Sequence, residues 1–400
     1  MDSQTLMRLS EQYIAHTYAR FPIIPVRGQG TRLWDIEGKE YLDFVAGLAV
    51  CNLGHCHPKV VKAIQEQAKK LIHVSNFYYI EPQIQLAALL CKHSFANKVF
   101  FCNSGAEANE GALKLARKYA KENIDRNRYE VITMEQSFHG RTFATLTATA
   151  QPKYHKGYDP LMPGFKYIPF DDIEAMRKAI DEKTCAVLLE PIQGEGGVNI
   201  PQKGYLKAVR EICDEKGVLL IFDEVQVGMG RTGTLFAYEH EGVEPDMLTL
   251  AKSLAGGVPI GALLIKEKVA KSFEPGDHAS TFGGNPLATA SGVAALTALL
   301  EEGMLENCQK VGQYFLSQLM TLGKRFSFVK EVRGRGLILG MELKVDGTEI
   351  VKEMMKKGFL INCTMNRVLR FLPPLIITEE EVDRMIQSLE EVFKKMNRSE

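Results

Sequence analysis

The chain has no excess of either charge: Lys and Arg together number 49, and so do Asp and Glu. With no net field to steer a polyanion, neither nucleic acid nor an anionic membrane surface is an expected partner. Long apolar runs are missing too. The nearest are strand-like stretches such as Val218 to Phe222, far short of the roughly 18 to 20 residues that cross a bilayer. The N-terminal MDSQTLMRLSEQYIAHTYAR mixes Asp2 and Glu11 with its basic residues and has no apolar core of the secretory type, so the chain reads as cytoplasmic. Cysteines stand at 51, 56, 91, 102, 185, 213, 308 and 363 without one CxxC pair, the pattern of reduced thiols rather than disulfides. Cys51, His55, Cys56 and His57 are close in sequence, but no second ligand pair follows and Pro58 opens a helical pattern. No metal site is expected there. Repeats, low-complexity tracts and Ser/Gly linkers are also absent, so any domains must share a packed boundary.

What is present suits an enzyme. Four hundred residues, 45% hydrophobic and 24% charged, are enough for about two domains, each with its own core. Through the middle of the chain, short β-rich runs alternate with helical periodicity. The runs are Lys98 to Cys102, Glu130 to Met134, Ala186 to Pro191, Val218 to Asp223 and Met247 to Ala251, and such alternation predicts an α/β fold with a parallel sheet. Helices are expected over Ala106 to Ala120 and Gly204 to Lys216. In such sheets ligands sit beyond the carboxyl ends of the strands, so the residues just after each run are the functional candidates. The last hundred residues, with a helical pattern over Leu296 to Leu322, the turn VRGRGLILGMEL and an amphipathic Thr378 to Lys395, suggest a smaller α+β domain. Residues 28–45 read as a hairpin around Glu37-Gly38 that packs against it. The expected division is 46–300 for the large domain, and 1–45 with 301–400 for the small one.

Three strand ends carry chemistry. After KVFFC, the turn in NSGAEANEGALKLARKYA opens a helix with free backbone amides, a seat for phosphate in which Ser104 adds a hydroxyl and Gly105 admits close approach. An ordinary helix capped by Ser104 has the same pattern. In VLLIFDEVQVGMGRTG, Asp223 follows five apolar residues, where a carboxylate needs a cation. A protonated pyridine nitrogen would serve, and so would a salt bridge to Arg231. In DMLTLAKSLAGGVPIGA, Lys252 sits among Leu250, Ala251 and Leu254. Burial there would free its neutral amine for imine chemistry, whereas a snorkelling lysine would have none.

Together, these handles and the words SGAEANE, FHGRT, EPIQGEGG, DEVQ, GRTG and STFGGNP resemble the class III aminotransferases of fold type I over nearly the whole chain. The resemblance implies a large domain with a mostly parallel seven-stranded sheet, a smaller α+β domain, and pyridoxal 5'-phosphate as cofactor. By it, Lys252 bonds the cofactor and Asp223 pairs with its ring nitrogen. Gly105 and Ala106 donate amides to its phosphate with Ser104 nearby, Phe138 stacks on the ring, and Gln226 lies near the phenolic oxygen. Thr281 would reach the phosphate in a neighbouring subunit, which implies a homodimer with shared active sites.

Arg141 and Arg370 stand where the family binds carboxylates, and Glu195 where it places a gate that swings onto Arg370. For the two arginines, a fixed ion-pair network that holds the two domains together is the plainer alternative. The stretches LAVCNLGHCHPKV and LIHVSNFYYIEPQIQLA look like the acetylornithine aminotransferases, which implies transfer of the δ-amino group of N2-acetyl-L-ornithine to 2-oxoglutarate, a step of arginine biosynthesis. Tyr18, Ser75 and Asn76 would line the acetyl end, with Ser280 beside Thr281 as a further substrate contact. Succinylornithine, succinyldiaminopimelate and free ornithine remain alternative donors. More distant alternatives are an aminomutase, a decarboxylase or an inactive scaffold.

Overall fold

The computed structural model describes residues 1–397. After a helix over Ser3–Tyr13 come three strands, β1 (Pro25–Gln29), β2 (Arg32–Asp35) and β3 (Glu40–Asp43), paired antiparallel in sequence order. The expected hairpin is therefore β2–β3, with β1 added in front.

The central sheet comprises β4 (Lys98–Cys102), β5 (Glu130–Met134), β6 (Phe165–Ile168), β7 (Thr184–Leu189), β8 (Leu219–Asp223), β9 (Met247–Leu250) and β10 (Gly261–Ile265). Its order is β4-β10-β9-β8-β7-β5-β6. β10 runs antiparallel to both neighbours, and the other pairings are parallel. β7, β8, β9 and β10 are buried at every position, which is why they read as apolar runs rather than as alternation. Helix Gly105–Asn123 covers one face with Ala112, Leu115 and Ala116, while Leu206, Val209 and Ile212 of helix Tyr205–Lys216 join the larger core on the other.

The C-terminal part holds β11 (Val329–Arg335), β12 (Ile338–Leu343), β13 (Phe359–Leu360), β14 (Asn362–Thr364) and β15 (Val368–Phe371). β11-β12-β15-β14 form one antiparallel sheet, and β13 pairs parallel with β3. The N-terminal hairpin is thus stitched to the C-terminal region through the backbone. The helical pattern over Leu296 to Leu322 resolves into two helices, Pro286–Glu301 and Met304–Gly323, and the C-terminal helix spans Glu379–Asn397. At the Cys51–His57 stretch, His55 pairs with Asp43 at 2.7 Å and His57 with Glu302 at 3.0 Å.

Candidate active site

The carboxyl ends of β4, β5, β7, β8 and β9 open onto a cleft of about 480 Å³ that contains Gly105, Phe138, Glu190, Asp223 and Lys252. Residues immediately after the strands do line the site, as the sheet rule requires.

At its floor Asp223 ends β8 and is 4% exposed. Its Oδ2 lies 2.8 Å from His139 Nδ1 and accepts the Asn109 side-chain amide at 2.8 Å, while Oδ1 accepts Val225 N–H at 3.0 Å. Asn109 is itself fixed by Thr249, whose hydroxyl donates to Asn109 Oδ1 at 2.8 Å. Arg231 is not the partner. That guanidinium, fully buried, turns to the carbonyls of Leu337 and Pro373 and the side chain of Asn52, so a salt bridge between Asp223 and Arg231 is ruled out. Buried and oriented, Asp223 presents a carboxylate to the cleft. His139 Nε2, also buried, has no hydrogen-bond partner among the described residues.

Lys252 follows β9 with a left-handed backbone, φ 41°, a strained conformation typical of residues held for function. Loss of water around its amine lowers its pKa, an effect reinforced by the Arg370 charge and opposed by Glu195, Asp223 and Glu190. A neutral, nucleophilic amine is thereby favoured.

Opposite, helix Gly105–Asn123 begins with Ser104 as its cap, accepting Glu107 N–H at 3.2 Å. The Ser104 cap is compatible with an anion seat, since first-turn amides such as those of Gly105 and Ala106 have no acceptor within a helix. A side chain at position 105 would put its Cβ 2.7 Å from Val225, so only glycine lets the two loops close around that seat.

Glu190, at the end of β7, ties two loops together: Oε1 accepts Phe138 N–H at 2.9 Å and Oε2 accepts Gly194 N–H at 3.1 Å. Burial pushes its carboxyl up to about 7. Gly194 packs on the Gln226 side chain with no room for a Cβ, which aims the next residue, Glu195, across the cleft. There Arg370 Nη1 donates to Glu195 Oε1 at 2.8 Å and to Gln226 Oε1 at 3.1 Å. Gln226 in turn donates to Glu195 at 3.2 Å. Arg370, 1% exposed, is held from behind by Asn362, its cross-strand partner on β14, at 3.0 and 2.8 Å. Burial would raise the Glu195 carboxyl, but the Arg370 charge and hydrogen bond, with the Lys252 charge and the Gln226 amide, together outweigh it and take it down to about 2. Arg141 is different: exposed at the rim, it has no carboxylate partner among the described residues and lies over the ring of Tyr154.

Not every expected residue reaches this cleft. Ser75, Asn76, Ser280 and Thr281 gather beside it, with Asn76 donating to the carbonyls of Ser280 and Gly283 at 3.1 and 3.0 Å. Tyr18 is 68% exposed and lies with the N-terminal helix in a separate hollow. Asn109, His139, Glu190 and Tyr154 escaped sequence reading as individuals, although the first three lie inside the quoted words SGAEANE, FHGRT and EPIQGEGG.

Comparison with known proteins agrees with this geometry. The class-III aminotransferase family model matches residues 13–393. The chain belongs to the class-III aminotransferases. It is 54% identical to the acetylornithine aminotransferase of Methanocaldococcus jannaschii over 398 residues, 100% of both chains. It is 56% identical to that of Caldanaerobacter subterraneus subsp. tengcongensis over 392 residues, 98% of this chain and 100% of the relative. A solved ornithine aminotransferase from Toxoplasma gondii, described with partial occupancy of pyridoxal phosphate at its active site, superposes with a TM-score of 0.96. It is 37% identical, and the match covers 100% of this chain and 95% of that one.

Pyridoxal phosphate is accordingly the cofactor, and the residues present fit it. An anion seat without a side chain at Gly105, a buried carboxylate at Asp223 and an amine of lowered pKa at Lys252 line one cleft, and they are the three handles the molecule needs.

Proposed function

We propose that this class-III aminotransferase moves the δ-amino group of N2-acetyl-L-ornithine to 2-oxoglutarate, giving N-acetyl-L-glutamate 5-semialdehyde and L-glutamate. The observation that carries the reading is the contrast between the two arginines. Arg370 is already covered by Glu195 at 2.8 Å, whereas Arg141 has no carboxylate beside it among the described residues. A donor that reacts at its ω-amine has no carboxylate at the reacting carbon, so leaving Arg370 uncovered would cost several kcal/mol. Glu195 removes that cost. The donor's α-carboxylate then takes the open fork of Arg141. When 2-oxoglutarate enters, its carboxylate next to the reacting carbon displaces Glu195 from Arg370, and its distal carboxylate takes Arg141.

Gly105, Ala106 and Ser104 would hold the cofactor's phosphate, Phe138 its ring face, Gln226 its phenolic side, Asp223 its ring nitrogen and Lys252 its reactive carbon. When bound, pyridoxal phosphate supplies an electron sink for the bond broken at the substrate carbon. Asp223, fixed by Asn109 and His139, keeps a negative charge beside the ring. Lys252 Nζ takes the proton from the donor's amine-bearing carbon and returns one to the acceptor's. The same pocket serves both substrates in turn, so the keto or aldehyde product leaves before the acceptor binds.

A homodimer in the cytoplasm is part of this reading. Its support is the aromatic surface around the Ser75–Ser280 cluster, where Phe77, Tyr79 and Phe282 are 91%, 98% and 60% exposed. Covering that surface with a second copy would bring Thr281 and Ser280 toward the neighbouring cleft and seat Tyr18, Ser75 and Asn76 near the acetyl group. We take 46–300, and 1–45 with 301–400, as the two domains. The resemblance to an ornithine aminotransferase structure keeps free ornithine as the second donor.

An absorption spectrum tests the proposal. Addition of N2-acetyl-L-ornithine alone should abolish the visible band of the bound cofactor, and 2-oxoglutarate should restore it. A band that ignores acetylornithine but responds to ornithine moves the donor. Protein that gains no band with added pyridoxal phosphate defeats the whole assignment.

A further inference from the structure

Arg141 leaves the chain just after Gly140 and is exposed, so nothing in its burial fixes where its guanidinium points. No ion pair or hydrogen bond holds the side chain among the described residues. What holds it is an aromatic face: the guanidinium carbon lies 3.9 Å from the centroid of Tyr154, against 5.5 Å for Phe138. A cation held over a ring face spends no hydrogen-bond donor on that contact, so the N–H groups of Arg141 remain for a ligand. The ring is itself secured. Tyr154 N–H donates to Gln151 C=O at 3.0 Å, the following His155 lies 2.7 Å from Thr149 C=O through Nε2, and the Tyr154 ring meets Phe138 edge-on at 5.9 Å and 80°. Lys153 Nζ, 4.8 Å from the same ring, adds a second cation to it. The Tyr154 hydroxyl has no hydrogen-bond partner among the described residues, so the ring carries the contact.

We propose that Tyr154 is a positioning residue that presents the donors of Arg141 to the second carboxylate of the substrate, setting affinity for dicarboxylates without touching the reacting atoms. This rests on the assignment of Arg141 as a carboxylate site. A long exposed side chain loses rotamer freedom when it clamps a ligand, and a platform that restricts it beforehand reduces that loss on binding.

The experiment compares two acceptors on the holoenzyme, 2-oxoglutarate and 2-oxopentanoate, which differ only in the distal carboxylate, together with calorimetric binding of glutarate. Tyr154→Leu should raise the KM for 2-oxoglutarate and the Kd for glutarate about fivefold, the size expected for loss of a partly exposed cation–π contact. The KM for 2-oxopentanoate, kcat and the spectrum of the bound cofactor should stay as in the wild type. Tyr154→Phe should behave as wild type, and Tyr154→Met, which fills similar space, substitutes for the Leu variant if that fails to fold. An unchanged KM for 2-oxoglutarate in the Leu or Met variant overturns the proposal, as does an equal loss with both acceptors or a failure of Phe to preserve affinity. Arg141→Gln separates the two levels. If it weakens 2-oxoglutarate selectively while Tyr154→Leu does not, only the platform is wrong; if it treats both acceptors alike, the carboxylate role of Arg141 falls, and the platform with it.

Discussion

The floor of the cleft and its rim hold their side chains by different means. At the floor, Asp223, Asn109, His139 and Thr249 form a chain of hydrogen bonds of about the same length, all buried, with His139 on the loop after β5 and the others on strands or on the helix packed on them. Every group there has one available arrangement. At the rim, Arg141 is exposed and lies over the Tyr154 ring, and beside the cleft Phe77 and Phe282 face outward. Between the two lies the Arg370–Glu195 pair, buried on the arginine's side and 24% exposed on the glutamate's. The difference teaches where chemistry and choice reside: a group that moves a proton must be fixed within tenths of an ångström, whereas a group that admits two dissimilar substrates must be exchangeable.

Substitutions should sort along that gradient. At the floor, Lys252→Ala is expected to lower kcat by on the order of 10⁴-fold or more, because proton transfer and attachment of the cofactor are both lost. The melting temperature should stay near that of the wild-type protein stripped of cofactor. Asp223→Asn, which keeps the shape but not the charge, should cost about 10²- to 10³-fold in kcat with little change in KM. Stopped-flow single turnovers with each substrate would check both. If either variant changed KM alone, the separation of floor from rim would collapse.

In the middle of the gradient, Glu195→Ala should leave Arg370 uncovered when an ω-amine donor is bound. Its first half-reaction with N2-acetyl-L-ornithine should slow about tenfold or more relative to that with L-glutamate, whose α-carboxylate covers Arg370 itself. The ratio of the two rates is the measurement. An unchanged ratio would mean that Glu195 is a fixed brace, as a purely structural ion pair would be.

How far these regions could be read in the sequence follows the same division. Lys252 and Asp223 were legible because each ends an apolar run, where a charge is costly without a partner. The partners of Asp223 were not, since Asn109 is 114 residues away and Arg231, only eight residues away, looked closer. Of the two cationic partners considered for Asp223, the structure removes Arg231. Strand Gly261–Ile265 was passed over because GALLI is short, fully buried and without alternation, so periodicity cannot distinguish it from a helix segment. Its antiparallel direction depends on a chain reversal that no local pattern records. The break between the helices Pro286–Glu301 and Met304–Gly323 was hidden because the first is apolar nearly all round and has no periodic face whose interruption could be read. At the rim, the stacking of Arg141 on Tyr154 spans thirteen residues and has no periodic signature.

The smallest expected effect concerns the two carboxyls that flank the gate loop, which should respond to pH in opposite senses. The Glu195 carboxyl is held down to about 2 by Arg370. Its contribution to stability is therefore present above the ordinary carboxylate value and is lost as pH falls from about 4.5 toward 2. Glu190 is pushed the other way, to about 7, because burial disfavours its charge, with Asp223 adding to the rise and His139 opposing it. Between about 4.5 and 7 the folded protein holds a proton on Glu190 that the unfolded chain gives up, so this group's contribution declines as pH rises through that window. Glu190→Gln removes the titration at a fixed cost, since the new amide cannot accept from both Phe138 and Gly194 N–H. The stability advantage of wild type over Glu190→Gln, read from urea unfolding of the cofactor-free proteins, should thus be larger at pH 5 than at pH 8, by an amount on the order of 1 kcal/mol. An advantage that grew with pH would place a stabilised charge on Glu190 and make the clamp between the Phe138 and Gly194 loops an ionic one. A constant difference would show that the carboxyl titrates alike in the folded and unfolded protein, and that the cleft beside it is wetter than its burial implies.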